Sequence, residues 1–199
     1  MTEFWKFEAE MKEQGFVRIC GVDEAGRGPL AGPVYAAAVI LPYGENIEGL
    51  NDSKKLSEKK REALFDIITQ KAVAYGIACA EVEEIEEINI LNASFLAMRR
   101  AIEQISPLPD FALIDGNMVR NIPVCAKSVV KGDSLSASIA AASILAKVSR
   151  DRLLKEYDEK YPQYGFSKHK GYPTKAHYEA IEKFGPCPIH RLSFLKGRI

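Results

Sequence analysis

Cysteine is scarce in this 199-residue chain: Cys20, Cys79, Cys125 and Cys187 are scattered, with no CxxC pair and no histidine at zinc-ligand spacing. That pattern argues against a disulfide framework or a structural zinc, and three of the four lie in apolar segments where they read as small core residues. No apolar run approaches the roughly 20 residues that a membrane span needs. Met1–Gln14 carries Glu3, Glu8, Glu10 and Glu13 and no apolar stretch, so a signal peptide is not expected and a cytoplasmic location is. Net charge is also lacking: 27 basic and 27 acidic residues cancel, so the total alone gives no reason to expect an anionic partner. Internal repeats and low-complexity segments are absent.

What is present is ordinary for a globular chain with a real core, 47% hydrophobic and 27% charged. The length suits one domain, read as a body over 1–160 with a C-terminal helical extension over 161–199. Charge is unevenly spread. From Lys147 onward there are 12 basic residues against 6 acidic, which leaves 15 against 21 before it. A basic region beside an acidic body can hold phosphates on one face and cations in a pocket, although solvated helix faces would give the same count.

Short apolar runs at Phe16–Val22, Pro33–Leu41 and Ala72–Ala80 predict antiparallel strands. Phe111–Ile114 and Ile122–Val130 predict two more. Helices are expected over Ser57–Gln70 with Ser57 as N-cap, over Ile88–Ile105, from Asp133 to about Glu159, and over Thr174–Phe184. Strands first, then strands alternating with helices, suggest an α/β fold with one mixed sheet covered by helices.

Acids stand at the ends of several of these elements. In GVDEAGRGPLAGP, Asp23 and Glu24 end an apolar run and meet a glycine-rich turn; carboxylates there are costly unless solvated or bound to cations. Gly26 and Gly28 flank Arg27 and remove side chains where a backbone can approach a ligand. The spacing is not that of a dinucleotide-binding turn, because a strand follows rather than a helix. Asp115 ends the strand of LIDGN, where an Asp-Gly turn is the plain alternative. Asp133 in VVKGDS is equally suited to cap the helix after it. Together they offer four carboxylates of the kind a hard, oxygen-liganded cation requires.

The segments GVDEAGRGPLAGP, NDSKKLSEKKRE, LIDGN, KGDSLSASIAAASILAKVSRD and HKGYPTKAHYEAIEKFGPCPIHRLSF occur in this order, and the chain resembles bacterial ribonuclease HII over Arg18–Phe194. The resemblance implies a ribonuclease H-like fold with a central mixed five-stranded sheet. It implies an active site of Asp23, Glu24, Asp115 and Asp133 that holds Mg²⁺ or Mn²⁺. It also implies two-metal hydrolysis of the RNA strand of RNA–DNA hybrids, with cutting 5′ of ribonucleotides embedded in duplex DNA and 5′-phosphate and 3′-hydroxyl products. For sensing the 2′-OH, Gly26, Arg27 and Gly28 are the first candidates. Tyr172 is implied to pack on the sugar at the junction, although on its own it reads equally as a loop aromatic on the core. Lys54, Lys55 and Lys131 are candidate phosphate contacts.

Asp151 competes with Asp133 for the fourth position. On one continuous helix the two stand about 27 Å apart at ~1.5 Å per residue, whereas paired metals lie only about 3.5–4 Å apart. Asp133 is therefore preferred, and Asp151 is expected to pair with Arg150 or Lys155. Adjacent residues on a strand point to opposite faces, so Glu24 joins Asp23 if the strand ends between them, or else offers its backbone carbonyl. Only Leu195–Ile199 follow Phe194, so no clamp-binding tail is expected; a monomer without an evident protein partner is. A nucleic-acid-binding module without catalysis and a carboxylate-dependent exonuclease are the competing readings.

Overall fold

A computed structural model of the chain describes residues 3–51, 53 and 56–197, so the expected phosphate contacts Lys54 and Lys55 lie outside the described residues. β1 (Ile19–Ala25), β2 (Val34–Ile40) and β3 (Ala74–Ala80) form an antiparallel meander. β4 (Phe111–Asp115) lies parallel to β1, and β5 (Cys125–Val129) parallel to β4. The result is, as expected, one mixed five-stranded sheet; its order is β3-β2-β1-β4-β5. Helices α1 (Lys6–Glu13), α2 (Glu58–Lys71), α3 (Val82–Glu103), α4 (Ala137–Lys160), α5 (Phe166–His169) and α6 (Lys175–Phe184) complete the described structure.

The strands alternate their side chains between two helical layers. Cys20, Val22, Ala36 and Ala38 join Ala97, Met98 and Ala101 of α3 in one core. Ala37 and Val39, the intervening positions, join Ala141, Ala142 and Leu145 of α4 and Leu64 and Ile68 of α2 in another. A methyl group on Gly21 would collide with the backbone of Ser138 and Ile139, so α4 lies directly against β1. The alanine run of α4 permits that approach. A third core joins Leu30 and Ala31 to Leu154 of α4 and to Tyr164, Phe166, Ile181 and Ile189 beyond it. None of the helices among the described residues is long and apolar enough to cross a membrane.

Several boundaries differ from expectation for identifiable reasons. β1 does not stop at Val22; it continues through Asp23 and Glu24, which pair with Ala37 and Ala36 of β2. α3 starts at Val82, behind a capping box of Glu81 and Glu84, and breaks at Asn89 (φ 65°). The Asn89 side chain accepts from the amides of Leu91 and Asn92 and starts the helix again, close to the expected beginning at Ile88. α4 is capped by Ser136, whose hydroxyl accepts from the Ile139 amide at 3.3 Å. Asp133 is therefore not its N-cap and lies in a separate 3₁₀ turn, Gly132–Ser134. Among the cysteines only Cys20 is buried; Cys79 and Cys187 are half-buried, and Cys125 is exposed on the edge strand β5.

Candidate active site

β1 outruns its parallel neighbour. Its last partner in β4 is at Val22, opposite Ile114, while the strand itself runs on to Ala25. The edge beyond Val22 thus opens onto a cleft of about 200 Å³, lined by Asp23, Glu24, the Gly26–Gly28 turn, Ser53, Asp115, Ser143, Lys147 and Tyr172. Strand alternation sends Asp23 and Glu24 to opposite faces, and no strand end separates them. Both reach the cleft because the missing β4 partner leaves that edge free.

Asp23 is buried and points toward α4. Its Oδ1 accepts from the Glu24 amide at 2.7 Å, and Ser143 of α4 bonds its carboxyl; Ser143 in turn pairs with Ser53 at 2.8 Å. Burial above all, then the neighbouring Glu24 and Asp115, hold the Asp23 carboxyl well above the usual carboxylate range. Burial also raises Glu24, against the pull of Arg27, whose guanidinium lies 3.3 Å from Oε1.

Asp115, the last residue of β4, is fixed by the start of the 3₁₀ turn. Its Oδ1 accepts from the amide of Gly132 at 2.7 Å and more loosely from that of Asp133 at 3.4 Å. Asp133 is buried beside it but is not among the residues lining the cleft, and neither is Lys131, which stands exposed at the turn's entry. Asp151 is set apart by its partners: Lys147 at 2.6 Å and Arg61 at 3.8 Å neutralise it, rather than the expected Arg150 or Lys155.

The glycine-rich turn is shaped by two buried arginines that pattern reading missed. Arg191 donates to the carbonyls of Gly26, Arg27, Pro29 and Gly32 at 2.7–3.1 Å. Arg150 donates to Ala31, Pro33 and Lys170 at 2.9–3.1 Å. Desolvation pulls both guanidinium pKa values down, to about 10 for Arg150 and about 9 for Arg191. Gly26 has φ +101°, and a methyl there would run into the Arg150 guanidinium, so this position needs glycine twice over. A methyl on Gly28 would instead lie 3.6 Å from Cε1 of Tyr172, so the exposed turn and the exposed aromatic face each other. Both arginines lie in the basic C-terminal quarter and within the motif segments, and Arg150 was an expected partner of Asp151, but nothing in the sequence pointed to their carbonyl acceptors.

Hard carboxylate oxygens suit Mg²⁺ or Mn²⁺. A buried and a half-buried acid, both with raised pKa values and each raised in part by Asp115, are what a divalent cation would relieve. Among the described residues, no three acid, histidine or cysteine side chains already converge as a closed metal site.

A family model described as Ribonuclease HII matches residues 20–196. A curated Ribonuclease HII from Ruminiclostridium cellulolyticum is 61% identical over 197 residues, covering 99% of this chain and 77% of that protein. Among solved structures, ribonuclease H2 from Pyrococcus horikoshii OT3 matches with a TM-score of 0.73 at 27% identity, over 89% of this chain and 93% of that one. Bst-RNase HIII, solved in complex with Mn²⁺, matches in fold with a TM-score of 0.64 at 17% identity, over 85% and 63% of the two chains. Sequence identity along nearly the whole length and a shared sheet architecture agree: this chain belongs to the ribonuclease HII family, metal-dependent endoribonucleases that act on RNA–DNA hybrids.

Proposed function

We propose that this chain cuts duplex DNA on the 5′ side of embedded ribonucleotides, as well as the RNA strand of longer hybrids, leaving 5′-phosphate and 3′-hydroxyl ends. The observation that carries this reading is the cleft in which Asp23, Glu24 and Asp115 meet the Gly26–Gly28 turn and Tyr172. Metal-binding carboxylates and a surface suited to a sugar occupy one small space.

Asp23, Glu24, Asp115 and Asp133 are the proposed holders of Mg²⁺ or Mn²⁺, which when bound would supply activation of a water and neutralisation of charge on the departing 3′ oxygen. Asp133 is the acid that does not line the cleft, and its part requires the 3₁₀ turn to bring it forward. Glu24 contributes through its side chain, whose carboxyl pKa is raised by burial and which reaches Arg27 at the cleft. Gly26, Arg27 and Gly28 present backbone and one guanidinium to the sugar and phosphate next to the scissile bond. Tyr172 offers its ring to the sugar face. Lys131, with Lys54 and Lys55, would hold phosphates further along, and the 161–199 segment would serve as the substrate-contacting part of the same domain. A cytoplasmic, monomeric enzyme accords with such a substrate.

A duplex DNA carrying one ribonucleotide tests the reading. Cutting on its 5′ side is expected with Mg²⁺ or Mn²⁺ and not in chelator, and Asp115→Asn should lower the rate by a factor of about 10³ or more while the variant stays folded and binds the duplex. An intact substrate in both metals would overturn the proposal.

A further inference from the structure

Three histidines that the proposed chemistry leaves unused converge beneath Tyr172. His177 opens α6 and His190 lies in the loop after it, both buried; His169 ends α5 and stacks on His177 with ring centroids 4.3 Å apart. Their shortest hydrogen bonds select one proton arrangement. The Cys187 amide can only donate, and it meets Nδ1 of His190 at 2.9 Å, so that nitrogen carries no proton. The neutral ring then bears its proton on Nε2, which faces Nε2 of His177 at 3.1 Å and must donate to it. His177 is left with its proton on Nδ1, which donates to the Tyr172 carbonyl at 2.9 Å. The Cys187 carbonyl and Sγ also lie near Nδ1 of His190, at 3.3 and 3.1 Å; the amide, at 2.9 Å and able only to donate, sets Nδ1 as the acceptor. The same logic fixes His169: the Gly171 amide donates to its Nδ1 at 3.2 Å, so Nε2 donates to the Tyr164 carbonyl at 2.9 Å.

We propose that His190 and His177 form a one-way hydrogen-bond relay, running from the Cys187 amide to the Tyr172 carbonyl, that positions Tyr172 against the Gly26–Gly28 turn. The inference rests on the reading of Tyr172 as substrate-facing. The Tyr172 ring is exposed, so its aim depends on its backbone. That backbone is pinned at both ends: its amide donates to His169 at 2.9 Å, and its carbonyl accepts from Thr174 at 2.8 Å and from His177. Groups facing the histidine pair are His169, the rings of Tyr164 and Phe166, and Cys187, with Lys160 of α4 acting on Cys187. None of these is an acid that would stabilise a charged imidazole, and burial pushes both His177 and His190 down to about 4, so the relay stays neutral near pH 7. His177 and His190 are positioning residues on this reading, touching no reacting atom.

Two substitutions at one site separate positioning from packing. Asn places an amide donor near the Nδ1 position, whereas Gln reaches toward the Nε2 position and drops the bond to Tyr172. The readout is the ratio of cutting rates on a single embedded ribonucleotide and on a continuous hybrid. His177→Gln should change this ratio about tenfold, the size of one lost hydrogen bond, and His177→Asn should keep it. In a Tyr172→Ala background His177→Gln should change nothing more. If Tyr172→Ala alters the ratio and His177→Gln leaves it as in the parent protein, the relay is wrong. If Tyr172→Ala itself leaves the ratio unchanged, the reading of Tyr172 fails, and the relay is then decided by nitrogen-15 NMR of the parent protein. That spectrum should show His177 protonated on Nδ1 and His190 on Nε2 at neutral pH; the opposite tautomers, or charged rings, would overturn it whether or not the variants fold.

Discussion

Asp23 is asked to be buried and charged at once, and the surrounding residues supply little to reconcile the two. With its pKa raised by burial and by Glu24 and Asp115, the folded chain holds this proton more tightly than the unfolded chain does. The folded state is therefore favoured at pH values below the unfolded carboxylate range, and stability declines as pH rises from there toward the raised folded value. Asp23→Asn removes that opposition. In chelator at pH 7 the variant should melt higher than the parent, by about 2–4 °C for each ~1 kcal/mol relieved in a chain of this size, while cutting nothing. Adding Mn²⁺ should raise the melting temperature of the parent and much less that of the variant. A variant that melts lower in chelator would show that the Ser143 and Glu24 bonds outweigh the burial of charge. The acids themselves were legible in the sequence because their signal is local: an apolar run that ends in carboxylates and a glycine turn. Asp133 reads in the sequence as a site acid with a helix cap as its alternative, and the helix expected from it starts later because Ser136, three residues on, is the cap.

At the scale of elements, the Gly26–Pro33 turn is held from behind by Arg150 and Arg191. Gly26→Ala combines a left-handed backbone with a collision at Arg150, and should destabilise by about 1–3 kcal/mol and reduce cutting. Arg191→Lys should destabilise more, because a lysine cannot reach four separate carbonyls and each buried acceptor left unpaired costs about 1–3 kcal/mol. Denaturant unfolding reads both; a neutral Arg191→Lys would mean that water replaces the guanidinium. The strands and the starts of α2 and α6 could be read from periodicity and capping residues, whereas α1 and α5 were not expected. The arginine clamp could not, because its acceptors are backbone carbonyls, which carry no residue-type signal, and its donors lie 117–165 residues away. The extension of β1 through Glu24 was hidden for a similar reason. A strand that pairs on one side only continues wherever its one partner does, and that partner was read from a separate apolar run.

For the molecule as a whole, the basic C-terminal quarter is less available to phosphates than its count suggests. Arg150 and Arg191 serve carbonyls, while Lys147, Arg152 and Lys155 are matched to Asp151, Glu62 and Glu58. Exposed Lys131, and Arg27 once a cation replaces it at Glu24, are the proposed phosphate contacts. Each should flatten the plot of log binding constant against log salt concentration by about 0.9 when changed to Ala, as one phosphate contact does for a duplex. Lys155→Ala should leave the slope alone. Binding of a hybrid in an Asp115→Asn background with Mn²⁺ present, at several salt concentrations, distinguishes the two, and an equal effect of all three would return the basic quarter to a general phosphate-binding face.

The clamp has a consequence in time as well as in space. The Gly26–Pro33 turn leaves the ribosome early, yet the guanidinium that gathers its carbonyls belongs to a residue made about 160 positions later. Until Arg191 arrives, the turn lacks the donor to four of its carbonyls, and only Arg150 is there to hold Ala31 and Pro33. A chain halted after α4 would carry the four acids proposed to hold metal without the residue that gathers the turn beside them, so the order of synthesis is expected to leave it inactive until Arg191 is made.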